Sequence, residues 1–397
     1  MDFNHLIAPI GADLFMSEYY GRRPLHIPAP PDSPRLALMS WDRLNALLGL
    51  WSHWSEANLK LIRANRPIAP DLYMEEISQQ DGALRRASLA KVETFLAMGA
   101  SLVANYVQSI APEVRQVTDM LAERFAGVGN ANLYCSFEGV QAFNTHYDMH
   151  EVFAVHSEGE KVWRIYANRS AEPVENDATA EALQRRALAE RGELLLEVTM
   201  RPGDLLYIPR GFYHDALASS RESLHLTLSV MPASGRFFLK TLKRAAMREA
   251  LLRAYLPDAR IDGGAPLREH LDALAGRLAE IVRSPAFFES VAVMQRSLAR
   301  PAHGLSLPSR PALESFARTG VAARVERPDG GALLVRETGE PVSVGGMADE
   351  VEWLLARPLV SLQELFARFP HQGIRALREL VEKLVEVGIL KPALIRG

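Results

Sequence analysis

The sequence has little of several features that mark common classes of protein. It contains 397 residues but a single cysteine, Cys135, which excludes a disulfide framework within the chain and favours a reducing compartment. No stretch approaches the roughly 20 uninterrupted apolar residues of a membrane-spanning helix. The N-terminal residues MDFNHLIAPIGADLF also lack the basic and then apolar pattern of a secretory signal. These absences predict a soluble cytoplasmic protein that does not bind a membrane.

An excess of one charge is also missing. Lysine and arginine number 45, aspartate and glutamate number 48, and the net charge is -3. A protein whose main ligand is nucleic acid usually carries a basic surplus, so direct nucleic acid readout is not expected. The sequence also lacks a GxSxG nucleophile elbow, a P-loop and a GxGxxG fingerprint. Serine-based hydrolysis and chemistry on a nucleotide held by these motifs are therefore not expected.

The spacing of apolar residues changes along the chain. From Leu84 to Ala126 they recur every three or four residues, which predicts helices. From Asn132 to Val230, short segments rich in aromatic and branched residues alternate with Gly, Pro or polar turns, which predicts strands. The predicted strands are NLYCSF, EVFAVHS, EKVWRIYAN, ELLLEVTM, DLLYIP and SLHLTLSV, with a polar, partly helical insert at 170–193. Strands at this spacing favour a compact antiparallel sandwich or barrel, such as a jelly roll.

The helical period returns after Pro232. Residues 236–300 predict three amphipathic helices separated by prolines, and the Pro- and Gly-rich residues 300–314 predict a linker. The tail predicts a hairpin around Glu337 to Glu340 and three short helices, a composition like that of a winged helix. The predicted boundaries are 1–232 for the strand-rich domain with its N-terminal helices, 233–305 for the helical region and 306–397 for the tail.

One constellation has the residue types needed for metal chemistry. His146 and Asp148 are two positions apart in a predicted extended segment, so their side chains point to the same side. A third ligand is available from His214, which follows the turn and strand of RPGDLLYIPRGFYH. Two histidines and one carboxylate form the facial triad that suits non-haem Fe(II) and leaves positions open for oxygen and a co-substrate. The alternative is that these are buried or surface side chains with ordinary hydrogen bonds.

These residues also resemble those of a known family. His146, Asp148, Lys161 and the GDLLYIPRGFYH segment are similar to the motifs of JmjC-type 2-oxoglutarate oxygenases. More narrowly, the SEYYGRRPLHI segment, the helices after the strands and the winged-helix-like tail resemble the ribosomal oxygenases, which hydroxylate ribosomal proteins. The resemblance implies an α+β fold, in which a double-stranded β-helix barrel of the jelly-roll or cupin type has flanking helices. It also implies a helical dimerisation region and a C-terminal winged-helix-like domain.

The resemblance implies further site residues. Lys161 is expected to bind the distal carboxylate of 2-oxoglutarate, with Tyr134 near the same carboxylate. Thr227 and Ser229, which alternate with leucines in SLHLTLSV, are candidates for contact with the co-substrate. From the residues alone, Lys161 is also compatible with a surface lysine and Tyr134 with a half-buried aromatic. The polar face of SLHLTLSV is likewise compatible with a strand surface that faces solvent.

Three other polar residues near the triad are not assigned as ligands. His150 lies four positions after His146, too far along an extended backbone to share an ion easily, so His150 and His156 are expected in the core or behind the ligands. Asp215 directly follows His214 and is therefore expected to point away from the ion.

The function implied by the resemblance is that of an Fe(II)- and 2-oxoglutarate-dependent protein hydroxylase that uses O2. Its substrate is expected to be an arginine or histidine side chain of a ribosomal protein; the bacterial arginine hydroxylases of the family carry an arginine where this chain has Lys161. Alternatives are a hydroxylase of another protein or of a peptide natural-product precursor, a cupin-like enzyme without a co-substrate, and a non-catalytic cupin-fold binding protein. A homodimer is expected through the helices between Gly235 and Ala299, and the charge-balanced tail is expected to contact protein rather than DNA.

Overall fold

The chain divides into two compact units, Met1–His303 and Gly304–Gly397. The computed structural model describes residues 1–50, 52–79, 82–137, 144–174, 180–298, 315–328, 331–336 and 340–393. The predicted linker at 300–314 and residues 337–339 of the predicted hairpin lie outside these ranges. Within the described ranges, no helix combines the length and the apolar character needed to cross a membrane. The three-part division at 232 and 305 stays a prediction.

Helices of the first unit lie before, between and after its strands. They are α1 (Phe3–Ile7), α2 (Ala12–Glu18), α3 (Trp41–Leu48), α4 (Leu89–Ala97), α5 (Pro112–Arg124), α6 (Ala180–Glu190), α7 (Gly235–Ala246), α8 (Ala250–Arg253), α9 (Ala265–Arg283) and α10 (Pro285–Leu298). The Ser40 side chain accepts the backbone N–H of Arg43 at 3.3 Å and so caps α3, while proline occupies the first turn of α5 and of α9. The predictions of helices after Pro232 and of a helix in the 170–193 insert are confirmed.

The strands of the first unit include several that sequence reasoning did not predict. The strands of this unit, predicted or not, are β1 (Leu25–Ile27), β2 (Leu59–Arg63), β3 (Arg66–Pro67), β4 (Met74–Gln79), β5 (Gly82–Ala87), β6 (Ser101–Ala104), β7 (Gly127–Phe137), β8 (Glu151–Arg169), β9 (Leu194–Met200), β10 (Leu205–Ile208) and β11 (Phe212–Pro232). The prediction of helix throughout 84–126 is wrong at β5 and β6. All four residues of β6 are buried between β2 and β7, so tertiary pairing overrides the local helical spacing there.

Two long strands organise the main sheet. Its order is β1-β10-β8-β11-β7-β6-β2-β3, with β9 paired to β8, and each of these pairings is antiparallel. The segments EVFAVHS and EKVWRIYAN, predicted as two strands, form the single strand β8. Gly159 joins them with a φ of 68°, and a Cβ there would collide with the carbonyl oxygen of Glu222 on β11. This glycine therefore allows β8 and β11 to continue through an irregular register.

Strand β8 separates two hydrophobic clusters. Phe153 and Val155 pack in a large cluster that includes residues of α1, α2 and α5. Val152 and Ala154, which alternate with them, pack in a smaller cluster with Trp163. Full burial of side chains such as Phe153 contributes about 2 kcal/mol each. The helices thus cover one face of β8, and the other face is available for a site.

The second unit combines short strands with three helices, at the places where the sequence predicts them. Its elements are β12 (Ser315–Arg318), β13 (Ala323–Glu326), β14 (Ala332–Arg336), β15 (Val342–Gly345), β16 (Leu359–Ser361), β17 (Leu390–Pro392), α11 (Ala348–Leu355), α12 (Leu362–Arg368) and α13 (Ile374–Glu386). The strands form the three-stranded sheets β16-β12-β17 and β13-β14-β15. Ser361 and Glu364 form a capping box at α12. Strands of three or four residues such as β12 and β16 are too short to show an alternating pattern, so they were not predicted.

Candidate metal centre

The backbone brings the three predicted ligands together. His146 lies in the segment before β8, and His214 lies in β11. The two residues form an isolated antiparallel bridge, in which His146 N–H donates to His214 O at 3.0 Å and His214 N–H donates to His146 O at 2.8 Å. Gly211 N–H donates to Asp148 O at 2.9 Å and fixes the third residue. One ligand atom from each of His146, Asp148 and His214 lies within 4.8 Å of the other two.

Hydrogen bonds set the tautomer of both imidazoles. The Nδ1 atom of His146 lies 2.8 Å from Asn144 O, and that of His214 lies 3.0 Å from Phe212 O. A carbonyl oxygen accepts but cannot donate, so each Nδ1 carries a hydrogen, and in the neutral form of each ring Nε2 keeps the lone pair. Nε2 of His214 is 3.5 Å from Asp148 Oδ2. The two lone pairs and the carboxylate therefore face a common point, as a metal site requires.

The electrostatics favour the charge states that bind a cation. Burial alone acts to raise the pKa of the Asp148 carboxyl, but His150, His214 and His146 outweigh it and leave that pKa lowered. Burial, together with His146, lowers the pKa of His214 to about 4. At neutral pH the carboxyl is therefore ionised and His214 is neutral. These are the protonation states in which both groups can bind a metal.

The triad opens into a cavity of about 230 Å³. Besides the triad, side chains that line it and bear on the argument are Tyr134, Lys161, Trp163, His225 and Thr227. The Trp163 ring stacks against His214 at a centroid distance of 5.9 Å and meets His225 edge-on at 5.3 Å. The tryptophan therefore lies between the metal end of the cavity and the end that contains Lys161.

Lys161 is buried at the second end of the cavity. Only 3% of the residue is exposed, so the alternative of a surface lysine is wrong. Its Nζ donates to Ser136 Oγ at 3.3 Å and lies 3.4 Å from Nδ1 of His225. Burial without a carboxylate partner in the described chain lowers the pKa of Lys161 to about 8. The site thus contains a desolvated cation that would gain from an anion.

His225 and Tyr134 form one wall beside that cation. Their rings stack at a centroid distance of 4.8 Å with an interplanar angle of 6°. Burial and the Lys161 ammonium hold the pKa of His225 well below its usual range, so the imidazole is neutral and its Nδ1 accepts from Lys161. Burial, with the Asp148 charge adding to it, raises the pKa of Tyr134. The Tyr134 hydroxyl therefore keeps its proton at neutral pH.

The polar residues of β11 are buried. Exposure is 4% for His225, 7% for Thr227 and 5% for Ser229, so the alternative of a solvent-facing strand surface is wrong. The reason is that β11 lies between β7 and β8, and its leucines point into the large cluster on the opposite face. Thr227 lines the cavity. Ser229 Oγ instead donates to Asn130 O at 3.4 Å, and Ser229 is not among the described residues that line the cavity.

Two other histidines of this domain, His150 and His156, do not join the triad. His156 is fully buried, its Nε2 lies 3.0 Å from Gly159 O, and burial lowers its pKa to about 4. His150 lines a separate cavity of about 220 Å³ with Glu151 and Arg210. Neither belongs to the triad, the one cluster of potential ligands found in the described residues. Sequence reasoning missed Ser136, although its position two residues after Tyr134 on β7 indicates the same face.

Comparison with known proteins adds to this geometry. Residues 105–236 match the JmjC domain. Ribosomal oxygenase 1 of Gallus gallus is 32% identical over 252 residues, which cover 63% of this chain and 40% of that protein. The bifunctional lysine-specific demethylase and histidyl-hydroxylase NO66 of Drosophila mojavensis is 27% identical over 262 residues, 64% of this chain and 28% of that protein.

The solved structures include a similar fold over most of the chain. An X-ray structure of E. coli ycfD has a TM-score of 0.50 at 18% identity and covers 95% of this chain and 96% of that one. At this identity the likeness concerns the fold alone. By contrast, the chain spans less than half the length of the two curated relatives named above.

Proposed function

Because the chain carries a JmjC domain with a cupin-like sheet and helices, and is similar to ribosomal oxygenases, we propose that it is an Fe(II)- and 2-oxoglutarate-dependent protein hydroxylase. One observation carries the proposal. The triad of His146, Asp148 and His214 opens into the same cavity as the buried Lys161. A cation-binding end and an anion-binding end in one cavity suit a co-substrate that has a chelating keto acid and a distal carboxylate.

The donor set fits a ferrous ion. Two Nε2 atoms and one carboxylate form the facial arrangement associated with non-haem Fe(II), and the Nδ1 hydrogen bonds hold the two rings in orientation. Bound Fe(II) would supply the O2 chemistry that oxidises 2-oxoglutarate to succinate and CO2 and places the other oxygen atom on the substrate. The residues of the chain bind and orient the reactants, and the buried aromatic walls exclude water.

Lys161 is the proposed anchor of the distal carboxylate. Its ammonium has a hydroxyl and a neutral imidazole as partners, both weaker than a carboxylate. Bringing an anion to Nζ would restore the charged state that burial disfavours. Tyr134 and Thr227 line the cavity and offer hydroxyls to the same ligand. Ser229, the other candidate from the sequence, is the weaker of the two β11 residues because its hydroxyl already donates to Asn130 O.

The proposed substrate is an arginine or histidine side chain of a ribosomal protein. The support comes from the names of the relatives, which are a ribosomal oxygenase and a histidyl-hydroxylase. A hydroxylase of another protein or of a peptide precursor is the alternative within the same chemistry. A non-catalytic cupin-fold binding protein is the alternative outside it.

Turnover provides the test. Protein purified without oxygen is supplied with Fe(II), 2-oxoglutarate and O2, with and without candidate ribosomal proteins. We expect succinate and a substrate mass gain of one oxygen atom in equal amounts. Mass spectrometry of ribosomal proteins from cells with and without the gene then locates the modified residue. Absence of succinate with every substrate, combined with a melting temperature unchanged by Mn(II) and a 2-oxoglutarate analogue, would favour the binding protein.

We also propose that the helices α7 to α10 mediate a homodimer. They leave large apolar side chains exposed, including Leu239 at 62% and Phe288 at 72%. A second copy covering this surface would remove these groups from water. Sedimentation equilibrium should give twice the chain mass, and the Leu239→Glu, Phe288→Glu double variant should give the chain mass. If the wild type and the double variant both sediment with the mass of one chain, the dimer is refuted.

The proposal for the second unit is a winged-helix-like domain that contacts protein in the cytoplasm. Helix α13 carries Arg375 and Glu379 as a pair at 3.3 Å, one turn apart on its exposed surface. A helix that pairs its own charges offers few free cations to phosphates. Binding of the protein to duplex DNA at physiological salt is therefore expected to be undetectable in an electrophoretic shift assay.

A further inference from the structure

One residue directly beside each of the two triad histidines lies on the side facing away from the cavity, and these two residues meet there. Thr145 precedes His146, Asp215 follows His214, and the two are 5% and 6% exposed. Successive side chains on an extended backbone point to opposite sides. The bridge that brings the imidazoles together therefore also brings Thr145 and Asp215 together, and Thr145 Oγ1 donates to Asp215 Oδ2 at 2.9 Å.

Two further side chains close this contact into a network. Tyr166 on β8 donates its hydroxyl to the same Asp215 Oδ2 at 2.8 Å. Arg191, just after α6, donates Nη1 to Tyr166 Oη at 2.8 Å and to Thr145 Oγ1 at 3.2 Å. Its guanidinium also lies 4.3 Å from the centre of the Tyr166 ring. The hydroxyls of Thr145 and Tyr166 each donate to the Asp215 carboxylate and accept from Arg191. They therefore join the buried carboxylate to the guanidinium.

The segment that contains His146 and Asp148 has few described backbone contacts that fix its position. This segment is not part of a regular strand. Its described backbone hydrogen bonds to β11, and to the turn that precedes β11, are the bridge with His214 and the bond from Gly211. The Thr145 hydroxyl adds a buried side-chain bond from this segment to β11. Fixing the segment before an ion arrives removes part of the ordering cost of binding.

We propose that Thr145 and Asp215, supported by Tyr166 and Arg191, are positioning residues that hold His146 and His214 at metal-binding separation. This inference rests on the proposed metal site and deepens it. None of the four touches the ion; they act through the backbone of the ligands. Loss of a group hydrogen-bonded to a metal ligand typically weakens metal affinity roughly 10–100-fold. Thr145 acts one step further from the ion, through the backbone, so Thr145→Val should fall at the lower end, about tenfold.

The test is a Co(II) titration followed by the visible absorption of the bound ion, run on the full chain. Thr145→Val should raise the Co(II) dissociation constant about tenfold and change the spectrum, because the geometry around the ion loosens. Thr145→Ser restores the hydroxyl and should return both to wild-type values. Thr118→Val makes the same deletion at another buried threonine, in α5, and should leave Co(II) binding unchanged.

Stability measurements separate positioning from folding. If Thr145→Val lowers the melting temperature as Thr118→Val does but leaves Co(II) affinity and spectrum unchanged, the positioning role is refuted and the proposed function stands. If wild-type protein binds no Co(II), both proposals fail together. Should Thr145→Val not fold, Tyr166→Phe removes one donor to Asp215 without changing a neighbour of a ligand, and it should weaken Co(II) binding by a smaller factor. Unchanged binding in Tyr166→Phe would then count against the network.

Discussion

The two ends of the cavity are built in opposite ways. At the triad, each imidazole already has a carbonyl partner for Nδ1, and the Asp148 pKa is lowered by the neighbouring histidines. At the other end, the Lys161 ammonium is buried with a serine hydroxyl and a neutral imidazole, and burial lowers its pKa. One end is therefore organised before its ligand arrives, whereas the other is left electrostatically unsatisfied.

This difference indicates what each end should do when perturbed. Removing a group from the organised end should destroy ligand geometry and leave the fold nearly intact. Removing the cation from the unsatisfied end should weaken co-substrate binding. It should also remove the desolvation cost of the buried charge, and so stabilise the ligand-free protein. A change at the triad should therefore hardly alter the stability of the ligand-free protein, whereas removal of Lys161 should raise it, and this contrast can be tested.

The largest expected effect is that of His146→Ala. Metal binding should weaken by more than the roughly 10–100-fold typical of losing a hydrogen-bond partner of a ligand, and succinate formation should fall to the metal-free background. The melting temperature of the apo protein should hardly change, because His146 is only partly buried. His371→Ala, a largely exposed histidine of the second unit, is the control. Aggregation with normal specific activity in the remaining protein would show that His146 is structural instead.

Lys161→Met should separate affinity from stability. Removing one partner of a buried charge pair costs about 2–5 kcal/mol, so 2-oxoglutarate should bind the Mn(II)-loaded variant at least about 30-fold more weakly. Below pH 8 the lysine is charged in both the folded and the unfolded protein, and its burial costs on the order of 3 kcal/mol. The apo variant should therefore melt at a higher temperature at neutral pH.

That gain has a defined pH dependence. The free-energy cost of burying the charged lysine disappears as pH rises from about 8 to 10.5, the ordinary pKa of a lysine. The difference in melting temperature between wild type and Lys161→Met should therefore shrink over that interval. Lys60→Met, at an exposed lysine of β2, should change neither affinity nor stability appreciably. Unaltered 2-oxoglutarate affinity in Lys161→Met would remove Lys161 from the proposed site.

The pH dependence of co-substrate binding gives a sharper comparison. Above pH 8, Lys161 of the ligand-free protein loses its proton. The 2-oxoglutarate dissociation constant should therefore rise about tenfold per pH unit. Burial lowers the pKa of His156 to about 4 and raises that of Cys135 to about 12, so neither titrates near pH 8. Lys161→Arg keeps its charge and should give a flat profile. An equally steep profile in Lys161→Arg would assign the titration to another group.

The smallest expected effect concerns β11. Thr227→Val removes a hydroxyl that lines the cavity and should weaken 2-oxoglutarate binding by about 1 kcal/mol, or roughly fivefold. Ser229→Ala removes one that already donates to Asn130 O and should leave that affinity unchanged. Isothermal titration with the Mn(II)-loaded protein compares the two. The reverse ranking would move the co-substrate contact from Thr227 to Ser229.

Sequence reasoning was strongest where periodicity and motif agreed. His146 and Asp148 share a side because they are two positions apart, so local geometry was enough to predict that pair. It failed at β6, four residues whose extended form depends on pairing with distant strands. It also left Asp215 unassigned, since the two hydrogen-bond partners of that carboxylate, Thr145 and Tyr166, lie on segments distant from it in the chain.

By itself, the sequence determined the chemical types at the site: two imidazoles, a carboxylate and a lysine, on or directly before segments whose residue spacing predicts strands. Only the tertiary structure decided that His214 meets His146, because their bridge joins residues far apart in the chain. It also decided that Lys161 is buried without a carboxylate partner in the described chain. The physical reason is that side-chain direction follows local backbone geometry, whereas burial and the convergence of ligands depend on how distant strands pair.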